Sequence, residues 1–261
     1  MKRLSLWWRD ASIKARLAWG GIVTLAMILA TALAFYVYIL LTLPDVEVLV
    51  RQNPETTAMM ELRKAQAAAA GKKWRKRQYW VRFREIPDLL KKAVRITEDA
   101  SFYRHEGIDT EEMLNAFRKN WRRGRVVRGG STITQQLAKN LYLSTEKSYW
   151  RKIREYFIAR ELEKHLSKNR IFHLYLNVIE LGPGIFGVEA ASRFYFKRHV
   201  SGLDLEQIIR LTAIIPRPLS VKVNSKNRWL MWKCRWIVSK LKKYRYISDG
   251  QYKATIAKFK P

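Results

Sequence analysis

The sequence predicts a mainly α fold preceded by one N-terminal transmembrane helix. Three observations predict it: an uncharged apolar run near the N-terminus, helical periodicity with capping residues along most of the remainder, and little strand pattern. No charged side chain occurs between Arg16 and Asp45, and Leu17 to Leu43 is overwhelmingly apolar. A bilayer needs roughly 20 such residues, and a signal-peptide core is shorter. Lys2, Arg3, Arg9, Lys14 and Arg16 precede the run. The positive-inside rule therefore predicts residues 1–16 as a cytoplasmic basic tail and 17–43 as the span, with everything after Pro44 outside.

The formal charge is +29, from 51 Lys and Arg against 22 Asp and Glu. Such an excess calls for an anionic partner: nucleic acid, anionic lipid or a phosphorylated substrate. With the basic bulk beyond the membrane, no nucleic-acid role is expected. The single cysteine, Cys234, excludes an intramolecular disulfide and a cysteine-rich zinc site.

Pro44 to Pro54 reads as an extended tether, and Thr57 to Ala70, rich in Ala, Met, Leu, Glu and Lys, as a helix. A basic run follows, then Tyr79 to Phe83 as a short strand or extended segment. Pro87, Asp88 and the recurrence of Leu90, Ala93, Val94 and Thr97 predict a helix with Glu98 near its C-terminus. There the macrodipole disfavours an anion and raises the carboxyl pKa, which makes Glu98 a candidate general base. A solvated Glu98–Asp99 pair at a helix end is the plain alternative.

Asp109 and Glu112 have capping-box spacing for a helix with Met113, Leu114, Phe117 and Trp121 as its apolar face. Next, Arg128-Gly129-Gly130-Ser131-Thr132 leads into the helical Ile133 to Asn140. Glycines, hydroxyls and cations at a helix start suit phosphate oxygens, although a Gly turn with a capped helix has the same composition. Ser148 to Leu166 predicts a strong helix with Lys152 and Glu155 on one face, an arrangement an ordinary ion pair also satisfies. Ser167 caps a helix carrying Ile171, Leu174, Tyr175 and Val178. Gly182, Gly184 and Gly187 bracket a turn before a helix from Val188 to Phe196. Near the C-terminus, Trp229, Trp232 and Trp236 recur among Lys and Arg, fitting either an anionic membrane surface or packing into the domain.

Four segments in this order resemble the bacterial peptidoglycan glycosyltransferases. They are Glu98-Asp99-x-x-Phe102-x-x-His105-x-Gly107-Ile108-Asp109; Gly129-Gly130-Ser131-Thr132-Ile133-Thr134-Gln135-Gln136-Leu137-Ala138-Lys139-Asn140; Arg151-Lys152-x-x-Glu155-x-x-x-Ala159-x-x-Leu162-Glu163; and Tyr175-Leu176-Asn177 with the glycine turn and Ala190-Ala191. The likeness covers about Pro44 to Pro218 and weakens beyond. The membrane span, with nothing after residue 261, looks like the monofunctional branch; bifunctional relatives add a transpeptidase domain.

The resemblance implies a lysozyme-like large lobe and a smaller lobe half-sunk in the membrane. The glycosyltransferase domain would be residues 44–218, completed by a basic, Trp-rich helical segment, 219–261. It carries the catalytic base onto Glu98 and the second acidic position onto Glu155, which would also hold a divalent metal, Mg or Mn. Substrate-binding positions fall on Arg128, Ser131, Thr132, Gln136, Lys139, Lys147 and Lys152. The implied partners are lipid II, the growing lipid-linked glycan and the membrane, with other cell-wall synthases or division proteins besides. The implied location is the inner membrane.

Lys147 stands where the family usually has Arg, His173 where Glu is common, and Lys197 where Gly is usual. A lysozyme-like cell-wall hydrolase and a non-catalytic basic scaffold are the competing readings.

Overall fold

The computed structural model describes residues 13–124, 129–146 and 148–259. The chain divides after Leu43 into two compact units. The first is built on helix α1 (Ile13–Leu41). Its stretch Ala15–Leu41 contains an 18-residue window of mean hydropathy 2.3, and side chains such as Leu17, Met27, Leu29 and Leu33 are exposed. Twenty-nine residues make a helix about 43 Å long, enough for a hydrocarbon layer of about 30 Å. An apolar helix with an uncovered surface is suited to lipid rather than to water.

The second unit begins at Pro44. In place of the expected extended tether, Glu47–Val50 forms a 3₁₀ turn with Val46 and Leu49 buried. Arg170 fixes it, donating to the carbonyls of Leu49 and Gln52 at 2.7 Å each and to Asn53 Oδ1 at 2.9 Å. One guanidinium thus satisfies three acceptors, an arrangement its planar fork favours.

Ten further α-helices follow among the described residues: α2 (Ala58–Ala69), α3 (Asp88–Glu98), α4 (Thr110–Arg122), α5 (Ile133–Tyr142), α6 (Tyr149–His165), α7 (Lys168–Val178), α8 (Val188–Phe196), α9 (Leu205–Ile214), α10 (Arg228–Lys243) and α11 (Asp249–Ala257). The fold is mainly α, as the sequence predicts. Side-chain caps account for most helix starts: Thr57, Asp109, Thr132, Ser148, Ser167, Asp204, Asn227 and Ser248 each accept a first-turn N–H. Among the described residues the one small sheet has strand order β1 (Arg77–Gln78), β3 (Ile185–Phe186), β2 (Glu180–Gly182), with β1 parallel and β2 antiparallel to β3. The strand therefore falls before Tyr79 rather than at Tyr79 to Phe83. Val81 instead donates its N–H to Asn177 Oδ1 at 2.9 Å.

Helix α5 lies at the centre of one group, with α2, α6 and α7 packed on it and Ile133, Leu137 and Ala138 fully buried. A second group joins α3, α9 and α10, with α11 on α10. Helix α4 departs from expectation. Met113, Leu114, Phe117 and Trp121 are exposed, Trp121 by 79%, and the helix buries Ala116 instead. The cause is close backbone approach: a Cβ at Gly130 would stand 3.2 Å from Met113 Cα and 3.4 Å from Ala116 Cβ. Only small residues fit that seam, so the large apolar side chains point away from it. The tryptophan stripe also divides. Trp232 is exposed, while Trp229 lies under the Arg217 guanidinium at 4.6 Å.

The unusual residues find local roles. His173 Nε2 lies 2.8 Å from Val81 O and Nδ1 3.2 Å from Arg170. Burial lowers its pKa and Arg170 adds to this, consistent with a neutral ring donating to Val81 and accepting from Arg170. Lys197 ends α8 with φ 57 and ψ 31, the left-handed cap at which glycine is the least strained residue.

Candidate active site

Glu98 is the last residue of α3 and its side chain is half-buried. From α5, Gln136 Nε2 donates to Glu98 Oε2 at 3.1 Å. From α7, Tyr175 Oη donates to Gln136 Oε1 at 3.0 Å. The tyrosine hydroxyl thereby fixes which end of the amide faces Glu98. Burial raises the Glu98 pKa and Asp99 adds to the rise, while Gln136, Lys233 and Lys139 oppose it. Burial also lifts Tyr175 well above its ordinary value, reinforced by Glu98 and Asp99, so its hydroxyl stays a donor.

Asp99 faces the opposite way and is buried. Its Oδ2 accepts the Ile133 N–H at 3.0 Å, where the α5 dipole favours an anion, and His105 Nε2 lies 3.0 Å from both carboxylate oxygens. Gly107, at φ +84, offers its carbonyl to the Thr132 hydroxyl; a Cβ there would meet Ala159 O at 3.1 Å. Thr132 is 3% exposed and its Oγ1 also accepts the Gln135 N–H. The structure thus places Thr132 inside the frame of the loop, as a cap, rather than on its ligand-facing surface. Asp99, His105 and Asp109 bring ligand atoms within 4.8 Å of one another. They fasten the loop instead: Asp109 accepts from Ser101 and from the Glu112 N–H.

The second cluster centres on Glu155, 3% exposed. Arg151 Nη1 stands 2.6 Å from Oε2, and Lys152 pairs with Oε1. Lys152 also donates to the exposed Ser131 Oγ at 3.1 Å. Burial lowers the pKa of Lys139, with Glu155 opposing most strongly and Glu180 also opposing. Glu180 is itself clasped by Arg63, at 2.9 and 3.1 Å from Nε and 2.8 Å from Nη2. Arg63, Lys139, Arg151 and Lys152 thus set four cations against two buried carboxylates, a surplus suited to a phosphate-bearing ligand. Arg128 and Lys147 lie outside the described residues.

A divalent ion at Glu155 does not fit this donor set. Both carboxylate oxygens are already occupied by cations, and Lys139 adds a third positive charge nearby. An incoming metal would have to displace Arg151 or Lys152, with no second free carboxylate offered beside it among the described residues.

The structure brings Glu98, Gln136 and Lys139 together, and Ser131, Lys152 and Glu155 together. Lys139 links the sets, because its charge favours ionised Glu98 while Glu155 favours the charged form of Lys139. A family model described as Transglycosylase matches residues 64–242. The chain belongs to the transglycosylase family. It is 39% identical over 227 residues to a biosynthetic peptidoglycan transglycosylase of Methylobacillus flagellatus, spanning 87% of this chain and 96% of that one. It is 43% identical to one from Nitrosospira multiformis over 72% and 82% of the two chains, and 48% identical to one from Thiobacillus denitrificans over 64% and 72%. The chain is therefore an enzyme of the glycosyltransferase class.

Sequence reasoning missed the Tyr175 hydroxyl, Arg63, Glu180 and Lys233. Tyr175 sat in a quoted motif, but its role depends on α7 crossing α5. Arg63 and Glu180 are 117 residues apart, and no local pattern pairs them.

Proposed function

We propose that this transglycosylase polymerises lipid II, a lipid-linked disaccharide-peptide, into β-1,4-linked glycan, with Glu98 as general base. Glu98 removes the proton of the 4-hydroxyl on the incoming lipid-linked unit. That oxygen attacks the anomeric carbon of the growing chain as the C–O bond to the α-linked undecaprenyl pyrophosphate breaks, so the configuration inverts. The pyrophosphate takes the electron pair, and Lys139, Lys152 and Arg151 stabilise its charge. No general acid of raised pKa is needed for so good a leaving group.

The observation that carries this reading is the pairing of one carboxylate of raised pKa with the Glu155 cation cluster through Lys139. A hydrolase of the two-carboxylate kind needs a second carboxyl free to act as acid, base or nucleophile. Asp99 is bound to Ile133 N–H and His105, and Glu155 to Arg151 and Lys152. The basic residues before α1 favour an N-terminus inside the inner membrane with the catalytic unit outside. The exposed aromatic face of α4 suits the membrane surface from which a lipid-linked substrate is drawn.

The test is polymerisation of purified lipid II by the full chain and by Glu98→Gln in detergent. Wild type should give longer glycan with lipid pyrophosphate released, and the folded variant none. Glycan from the variant removes Glu98 as base; shortened fragments of added peptidoglycan from wild type would instead identify a hydrolase.

A further inference from the structure

We infer that the surface shared by β1 and α8 is a docking face for an anionic lipid bilayer. It has no residue in common with the exposed face of α4, and it stands whichever reaction the chain performs.

The basic run after α2 supplies half of this surface. Gly71 turns the chain at φ +63, and Trp74 then packs against the buried cluster of Met59, Met60 and Phe186. With that ring turned inward, Lys72, Lys73 and Arg75 on either side of it are exposed. The run ends in β1, where the Arg77 N–H donates to Gly184 O at 2.8 Å. Helix α8 supplies the other half. Its Val188, Ala190, Ala191 and Ser192 are buried. Arg193, Phe194 and Lys197 are exposed, and Lys197 follows the other two at the three- and four-residue spacing of one helix side. Helix α8 lies against β1, and the side chains of the two elements interleave. The Arg77 guanidinium stands 5.1 Å from the Phe194 ring centre, and the Lys197 ammonium 5.6 Å from the same ring. The Arg193 guanidinium stands 5.5 Å from the Tyr79 ring. Rings hold these cations in place without neutralising them.

The chemistry of the occupant follows from the charge. No Asp or Glu occurs in 71–79 or in 193–199. Glu189, one turn before Arg193, is 2% exposed and is taken up by Arg193 and the Val200 N–H. The cations are spread over two elements rather than converging on one point, which suits many headgroups better than a single bound ion. Among them Tyr79 is 50% and Phe194 40% exposed. Exposed rings beside Lys and Arg are the combination that a membrane interface favours. Each Lys or Arg close to an anionic bilayer contributes about fivefold to partition. Helix α1 is long and apolar enough to cross a membrane, so a bilayer surface is the polyanion this chain meets.

The experiment places the full chain in nanodiscs of phosphatidylcholine, with or without phosphatidylglycerol, and follows acetylation of each lysine by mass spectrometry. Lys72, Lys73 and Lys197 should react about fivefold or more slowly where the anionic lipid is present. The difference should vanish near 1 M salt, where screening acts within about 3 Å. Lys222, exposed on another segment, should change little. Equal rates in the two discs overturn the inference. So does equal slowing of Lys222, which would mark a general effect of the charged surface on the reaction.

Arg75→Gln combined with Arg77→Gln tests whether the two elements form one face. The pair should return Lys197, on α8, toward its rate in neutral discs, with thermal unfolding as the check on folding. A folded double variant in which Lys197 stays protected overturns the shared face, and the wild-type comparison decides where the variant does not fold. Polyglutamate that slows the same three lysines in neutral discs as strongly as phosphatidylglycerol does would overturn lipid as the occupant in favour of an acidic chain.

Discussion

Replacing Glu155 by Gln keeps the shape of the side chain and removes its charge. In the wild type that carboxylate is 3% exposed and answers Arg151 and Lys152, with Lys139 close enough for its protonation to respond. Removing one partner of a buried ion pair costs about 3–5 kcal/mol, because the remaining charge is left uncompensated. The Lys152 side chain is 45% exposed and Arg151 18%, so water recovers part of the loss and the low end, about 3 kcal/mol, applies. For a unit of this size each kcal/mol moves Tm by roughly 2–4 °C, which gives a fall of about 6–12 °C. The assay is thermal unfolding of the full chain in detergent micelles, followed by tryptophan fluorescence. Adding Arg151→Met to the Gln variant should recover part of the fall, since it removes one of the stranded cations. A Tm within about 2 °C of wild type, a small fraction of the shift derived from the cost of a stranded buried charge, would refute the reasoning and free Glu155 for another role.

Three further outcomes are expected. Because burial raises the Glu98 pKa, the folded state binds this proton more tightly than the unfolded chain. The stability linked to it is complete below the ordinary carboxylate pKa and lost as pH rises through the folded value. Glu98→Gln should therefore unfold at a higher temperature than wild type at neutral pH, with the gap closing toward pH ~4; a gap independent of pH counts against it. Lys197→Gly relieves a left-handed residue, worth about 1–2 kcal/mol, against about 0.5–1 kcal/mol of glycine entropy. The net gain of up to about 1.5 kcal/mol corresponds to a rise of up to about 6 °C in Tm, and a fall would show that the Lys197 bond to Phe194 O matters more. With both Glu155 oxygens occupied by cations, polymerisation should persist in excess chelator; complete loss, restored by Mg or Mn, would place an ion at the site.

Where a signal was local, the sequence carried it. The span of α1, the caps Asp109 and Ser167, and the place of Glu98 at a helix end all depend on residues within a few positions; the rise of the Glu98 pKa was expected from the helix dipole, but its main cause is burial by other elements. Resemblance to a known family added Glu98, Ser131, Gln136, Lys139, Lys152 and Glu155, because their motifs are short and contiguous. Local patterning failed where another element intervened. Arg170 turned an expected tether into a packed 3₁₀ segment, and Gly130 drew α4 in by its backbone, turning Phe117 and Trp121 outward.

The sequence alone thus determined which residue types are present, their helical faces and the presence of one helix long and apolar enough to cross a membrane. Tertiary structure decided what each charge faces. Asp99 and Glu98 are neighbours in sequence, yet one caps α5 while the other meets Gln136. Thr132 and Ser131 are neighbours too, yet one is buried in a cap and the other meets Lys152. Electrostatic environment is a property of distances through space. Arg63 reaches Glu180 across 117 positions of chain, and only tertiary packing brings them to 2.8 Å.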